Sequence, residues 1–172
     1  MALSACAAGP SGRPSDAPEL RPVAAVDLAR YAGRWYEIAR YPNTFERGCE
    51  AVTADYTARP DGRVGVTNSC RQGPVGTRIR AVQGVARVID GSSGARLAVN
   101  FAPFPLPAGD GNYWIIYLSE DYQYAVVGEP SGRYLWFLAR TPTISPETRA
   151  QLQAAAEQQG YDLRLLEEVA QP

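Results

Sequence analysis

From Gly33 onward, short runs in which apolar and β-branched residues alternate with polar ones recur between clusters of turn-forming residues. Runs over Arg34–Tyr41, Glu50–Arg59, Arg63–Arg71, Thr77–Ile89, Ala95–Phe101, Asn112–Ser119, Tyr124–Glu129 and Arg133–Arg140 predict eight strands. Pro60-Asp61-Gly62 separates the second from the third, Asp90-Gly91-Ser92-Ser93-Gly94 the fourth from the fifth, and Pro130-Ser131-Gly132 the last two. No helical pattern intervenes, so hairpins join neighbours. The expected fold class is therefore all-β, an eight-stranded antiparallel up-and-down barrel, with a sandwich as the other way of covering the same faces. Closure would remove the exposed sheet edges and leave room for one small ligand.

One helix is predicted after the strands. Ser145 is a good N-cap, Pro146 sits where a missing N–H costs nothing, and Glu147 complements the positive helix end. The helix should run to about Gln159 and stop at Gly160. Leu152, Ala155 and Ala156 form a narrow apolar stripe suited to the outside of the barrel, and Leu165–Ala170 suits a short closing strand. Residues 1–25 carry several Pro and Gly with little apolar periodicity and read as a flexible tether, leaving 26–172 as the barrel domain.

The chain has 172 residues, 45% of them hydrophobic, with 17 basic and 18 acidic side chains and a net charge of -1. This is the composition of a single globular domain, and near-neutrality argues against nucleic acid as a partner. No apolar run is long enough for a membrane-spanning helix. There is no histidine, and all 17 basic residues are arginine. His-based triads, His-ligated metals, Schiff-base lysines and the phosphate-loop lysine are thereby removed, so neither a metal, a cofactor nor catalysis is expected. The bias of a GC-rich genome accounts for the arginines equally well.

Leu3-Ser4-Ala5-Cys6 resembles the lipobox of bacterial lipoproteins, in which small residues precede a cysteine that becomes acylated. Only five residues precede Cys6, so the basic and apolar regions of a signal peptide are missing; the reading is that residue 1 lies inside a longer precursor. The implied protein is held on a membrane by lipid on Cys6. Ala7 in place of aspartate points to the periplasmic face of the outer membrane. The plainer alternative is an odd cysteine in a flexible end.

Gly33-Arg34-Trp35-Tyr36-Glu37-Ile38-Ala39-Arg40 resembles the first signature of the lipocalin family, which opens G-x-W-Y. Tyr124-Ala125-Val126-Val127 is similar to its second block, and Leu135-Trp136-Phe137-Leu138-Ala139-Arg140 to its third, followed by Thr141-Pro142. The similarity runs from about Asp27 to the C-terminus and is nearest to the bacterial outer-membrane members and to apolipoprotein D. In such a fold Gly33 permits a sharp entry into the first strand and Trp35 plugs the closed end. Arg140 would lie over that ring as a cation–π lid, so Gly33, Trp35 and Arg140 form a structural signature.

Cys49 begins the second expected strand and Cys70 ends the third, so folding the hairpin about Asp61 brings them together. A disulfide there would imply an oxidising compartment. The rival reading is a reactive thiol, because one lipocalin, a prostaglandin isomerase, uses a barrel cysteine as nucleophile; a paired cysteine cannot.

With Arg140 inward over Trp35, strand parity turns Tyr134, Trp136 and Leu138 inward. The resemblance to apolipoprotein D puts Tyr56, Asn68, Phe101 and Trp136 on ligand-contacting positions. Parity adds Val52, Ala54, Val66, Val82, Gly84, Ala86, Leu97 and Val99, with Tyr113, Ile115 and Tyr117 on the sixth strand. The expected ligand-binding set is thus Tyr56, Asn68, Phe101, Tyr113, Tyr117 and Trp136. Such an apolar, aromatic cup suits a small lipophilic ligand, a fatty acid or lysophospholipid as in related bacterial lipocalins. Arg71, Arg78 and Arg80 near the mouth could attract a phosphate or carboxylate, although a solvated rim explains them too. The apolar loop Phe101–Pro107 marks a contact surface. The expected partners are this ligand, a membrane reached through the lipid anchor and a possible homodimer. The alternatives are a lipid-processing enzyme using Glu37, Glu129 or a tyrosine, and a structural lipoprotein with a filled barrel.

Overall fold

The computed structural model describes residues 11–72, 78–102 and 109–172. A short helix α1 (Leu28–Tyr31) precedes β1 (Gly33–Arg40), β2 (Glu50–Ala58), β3 (Val64–Gln72), β4 (Arg78–Val88), β5 (Arg96–Asn100), β6 (Tyr113–Leu118), β7 (Tyr124–Gly128) and β8 (Leu135–Ala139). Helix α2 (Pro146–Gln158) and the two-residue β9 (Glu167–Glu168) complete the chain. All pairings are antiparallel, each strand beside the next, and β1 pairs with both β8 and β2. The sheet therefore closes into an eight-stranded up-and-down barrel, with β9 hung on the outer end of β1. Each expected strand is present with its ends moved by a residue or two, and Thr77, the expected start of the fourth, lies outside the described residues.

Two cores use opposite faces of the same strands. Inside the barrel, Trp35, Tyr56, Leu97, Ile115, Val127 and Leu138 pack together. Outside it, Leu152 and Ala156 of α2 pack on Ile116, Val126, Leu135 and Phe137. With both faces covered, β7 and β8 read as nearly unbroken apolar runs, while β4, one face of which meets solvent, is largely exposed. Helix α2 starts where its cap dictates: Ser145 Oγ accepts from the Thr148 N–H, and the chain leaves through Gly160 at φ +83°.

The leading segment departs from the expected tether. From residue 11 it lies along the barrel as a strap: Gly12 N–H donates to Gly132 O at 2.8 Å, Val23 N–H to Ile115 O at 2.9 Å, and Val26 N–H to Ser93 O at 2.9 Å. Leu20 is buried against the α2 core and Val26 against the barrel interior. A few isolated apolar residues and backbone hydrogen bonds hold it, and neither leaves a periodic signal. Asp27 then caps α1 by accepting from the Ala29 and Arg30 N–H groups.

The strap delivers α1 to the closed end. Trp35 is fully buried, and its Nε1–H donates to Tyr31 O at 2.8 Å. The Arg140 guanidinium stacks over the indole and donates to the carbonyls of Arg30, Tyr31, Arg34 and Tyr122. Gly33 enters β1 at φ +96°, a conformation L side chains rarely adopt, and a Cβ there would sit 3.4 Å from an Arg140 nitrogen.

Candidate functional site: a cavity at the open end

Opposite this plug, the barrel opens into a cavity of about 410 Å³. Its floor is polar but uncharged. Tyr56 Oη donates to Tyr113 Oη at 2.9 Å, and Tyr113 Oη lies 2.7 Å from Tyr31 Oη, so the three hydroxyls satisfy one another. Burial pushes all three phenols up, which keeps them neutral at any physiological pH.

The walls are aliphatic: Val52 and Ala54 from β2, Val66 from β3, Val82 from β4, Val99 from β5 and Leu138 from β8. Asn68 interrupts them, and its buried Oδ1 has no hydrogen-bond partner among the described residues. Gly84 has a distinct task. A Cβ there would fall 2.7 Å from the Phe101 ring and 2.6 Å from Asn100 O, so only glycine lets Phe101 fold over β4 at the mouth.

Toward the mouth a small charged cluster fixes the aromatic side chains. Glu37 Oε1 accepts from Arg40 Nη1 at 2.8 Å, while Arg40 Nη2 donates to the carbonyls of Glu46 and Cys49 at 3.2 Å each. All three side chains are buried. Glu46 accepts from Asn43 Nδ2 and, at 3.3 Å, from Trp136 Nε1. Burial, reinforced by the neighbouring Glu46 carboxylate, holds Glu37 well above the usual carboxylate range despite Arg40. Trp136 stacks on Tyr134 with centroids 5.6 Å apart, and Phe45 meets Tyr134 in a tilted contact at the same centroid distance. Arg80 lines the mouth and donates to Phe45 O at 3.1 Å.

Cys49 and Cys70 are joined in a disulfide across 21 positions of sequence, with Cα atoms 5.4 Å apart, and both line the cavity. The bond ties the β1–β2 loop to the end of β3 and leaves neither sulfur free as a nucleophile.

The structure thus brings Tyr56, Asn68, Phe101, Tyr113 and Trp136 around one cavity. Tyr117 does not join them. A bulge between Ile115 and Tyr117 resets the alternation of β6, turning Leu118 inward and Tyr117 onto the outer core under α2. The expected arginine cluster also divides: Arg80 faces the cavity, whereas Arg71 and Arg78 are exposed and do not line it. Glu129 is occupied in its own hairpin, accepting from the Ser131, Arg133 and Tyr134 N–H groups and the Ser131 hydroxyl. Cys6 lies outside the described residues, as does residue 103 onward of the Phe101–Pro107 loop. Three contributors have no strand-parity signal: Tyr31, from a four-residue helix, and Phe45 and Glu46, from a loop. The Asn43-x-x-Glu46 spacing, where Asn43 Oδ1 accepts the Glu46 N–H, is the one local hint.

A barrel plugged at one end by a Trp–Arg pair and open at the other onto an apolar cavity defines the lipocalin class. The Lipocalin-like domain family matches residues 26–171, and the chain belongs to that family. It is 40% identical over 147 residues to the outer membrane lipoprotein Blc of Escherichia coli (strain K12), covering 85% of this chain and 80% of that one. It is 38% identical over 159 residues to temperature-induced lipocalin-1 of Arabidopsis thaliana, covering 89% and 83%. Mouse (Mus musculus) apolipoprotein D is 34% identical over 145 residues, covering 80% and 72%. Among solved structures, insecticyanin from the tobacco hornworm Manduca sexta superposes with a TM-score of 0.72 at 17% identity, covering 92% and 88%, a likeness of fold alone.

Proposed function

We propose that this protein binds and carries, or stores, a small lipophilic molecule in the barrel cavity, with a fatty acid or lysophospholipid as the ligand class. The observation that carries the reading is the cavity itself: about 410 Å³, open at one end, aliphatic in its walls and neutral at its floor. That size lies within the range of small-molecule sites. An acyl chain would lie along Val52, Val66, Val82 and Val99 and end on the Tyr56–Tyr113 floor. Its head would stay near the mouth, where Arg80 meets a carboxylate or phosphate and Asn68 offers an acceptor to a hydroxyl. Tyr56, Asn68, Phe101, Tyr113 and Trp136 are the proposed contact residues. A barrel filled solid is disfavoured by the volume. An enzymatic role is disfavoured by the commitments of Glu37 to Arg40 and of Glu129 to its hairpin.

In the same proposal the chain is anchored through acylated Cys6 at the periplasmic face of the outer membrane, a reading supported by the Leu3-Ser4-Ala5-Cys6 motif and the similarity to Blc lipoproteins. Mass spectrometry of an organic extract of the native protein should find a single-chain amphiphile at near-stoichiometric amounts; an extract empty of lipid contradicts the carrier reading. Stable, salt-resistant membrane anchoring should be lost with Cys6→Ala, because such anchoring needs at least two acyl chains.

A further inference from the structure

We propose that the cavity rim is a docking surface for an anionic phospholipid bilayer, so that the barrel rests mouth-down on lipid. Among the described residues the large exposed hydrophobic side chains are Phe45, Ile79, Val82 and Phe101, with 48%, 74%, 37% and 44% of their surface accessible. All four stand at the open end: Phe45 in the β1–β2 loop, Ile79 and Val82 at the start of β4, and Phe101 just after β5. Three of them also line the cavity, so the apolar interior runs without a break onto the outer surface.

The charges at this end fit the same partner. Arg47, Arg71, Arg78 and Arg80 are exposed around the mouth, and none forms an ion pair among the described residues. Glu50, opposite Arg71 in the β2–β3 ladder, is exposed beside them, as are Glu167 and Glu168 of β9 along the end of β1, of which Glu168 pairs with Arg149; Glu37 and Glu46 are buried. The closed end is balanced instead: Arg34 pairs with Asp55, and Arg59 and Arg63 with Asp61. Unpaired guanidinium groups interleaved with apolar side chains match phosphate heads above acyl chains.

The chain path supplies a third observation. The strap begins at this same end, where Ser11 Oγ donates to Ser131 O and Gly12 N–H to Gly132 O in the β7–β8 loop. Cys6 is five residues before Ser11, a span of at most roughly 17 Å even when fully extended. An anchor at Cys6, if the reading above holds, would therefore deliver the mouth rather than the Trp35 plug to the membrane. Docked this way, an amphiphile could pass between bilayer and cavity without crossing water.

The test uses the full chain with Cys6→Ser, so that no acyl anchor contributes, sedimented with vesicles of phosphatidylcholine alone or enriched in phosphatidylglycerol. Binding should favour the anionic vesicles and weaken with salt. Ile79 lies outside the cavity, so Ile79→Glu should lower partitioning about tenfold, the loss of one inserted aliphatic side chain, while ligand titration in solution and the circular dichroism spectrum stay unchanged. Arg71→Glu with Arg78→Glu should abolish the preference for phosphatidylglycerol. Failure to sediment with anionic vesicles, or equal sedimentation of Ile79→Glu, overturns the proposal even where the cavity binds ligand normally. So does a concentration-dependent dimer that Ile79→Glu dissolves without any vesicle binding, because the patch then belongs to a second copy of the chain.

Discussion

The guanidinium carbon of Arg140 lies 3.9 Å from the centroid of the Trp35 ring, and through its nitrogens the same group gathers four backbone carbonyls. One side chain thereby ties the end of β8 to the start of β1, to α1 and to the β6–β7 turn. Trp35→Ala should cost about 3–5 kcal/mol, the range for a buried aromatic truncated in a core. Arg140→Ala should cost roughly 1–3 kcal/mol by leaving carbonyls unpaired. Urea denaturation measures both, and an Arg140→Ala midpoint equal to wild type would contradict this role.

The Cys49–Cys70 bond closes a loop with a sequence separation of 21. Cys49→Ser/Cys70→Ser should lower stability by about 3 kcal/mol in the chain-entropy account, with the barrel still folded. Non-reducing peptide mapping should recover the linked pair from protein made in an oxidising compartment. Two free thiols there would restore the reactive-cysteine reading.

Glu37 links stability to pH with a definite sign. Burial first, and then Glu46, raise its folded pKa above the unfolded value. Between those two values the folded protein binds the extra proton. Stability from this group is complete below the ordinary carboxylate pKa and is lost as pH rises toward the folded one. Glu37→Gln should flatten that decline in urea titrations across pH, since the amide still offers Arg40 an acceptor. An identical slope in both proteins would remove Glu37 as its source.

The bulge in β6 makes opposite predictions for two tyrosines four residues apart. Tyr117→Ala should lower stability through the α2 packing and leave ligand affinity within about twofold, since it removes only outer contacts. Tyr113→Phe removes the hydroxyl shared by Tyr31 and Tyr56, and should cost about 1–3 kcal/mol while altering ligand affinity. Equal effects on binding would mean that β6 alternates without interruption.

Most of the architecture is legible in the chain because a barrel depends on period-two alternation and turn residues, which are local. The helix is legible for the same reason, since Ser145, Pro146 and Gly160 mark its ends by themselves. The cavity is legible wherever parity holds, as at Ala54, Val66 and Trp136. It fails at Tyr117, because a bulge inserts one residue and nothing in Ile115-Ile116-Tyr117 announces it. Residues 11–26 fail differently. Leu20, Val23 and Val26 are too sparse to form a pattern, and their partners at Ile115 and Ser93 are far away in sequence. Tyr31 and Glu46 reach the site from a single turn of helix and a loop, where no alternation exists to be read.

The carrier reading meets its most direct test in titrating delipidated protein with long-chain fatty acids and lysophospholipids, followed by tryptophan fluorescence. Trp136 lines the cavity, whereas Trp114 sits in the outer core and Trp35 in the plug, so the responding signal should vanish with Trp136→Phe. Burial of an acyl chain at about 25 cal/mol per Å², less the cost of ordering it, places the dissociation constant in the micromolar range or below. Ala54→Trp, which fills the cavity from β2, should abolish saturable binding while the circular dichroism spectrum stays that of a folded barrel. Saturable binding of one lipid class that Ala54→Trp removes is the predicted result. No saturable binding of either class, or binding that Ala54→Trp leaves intact, would contradict the account.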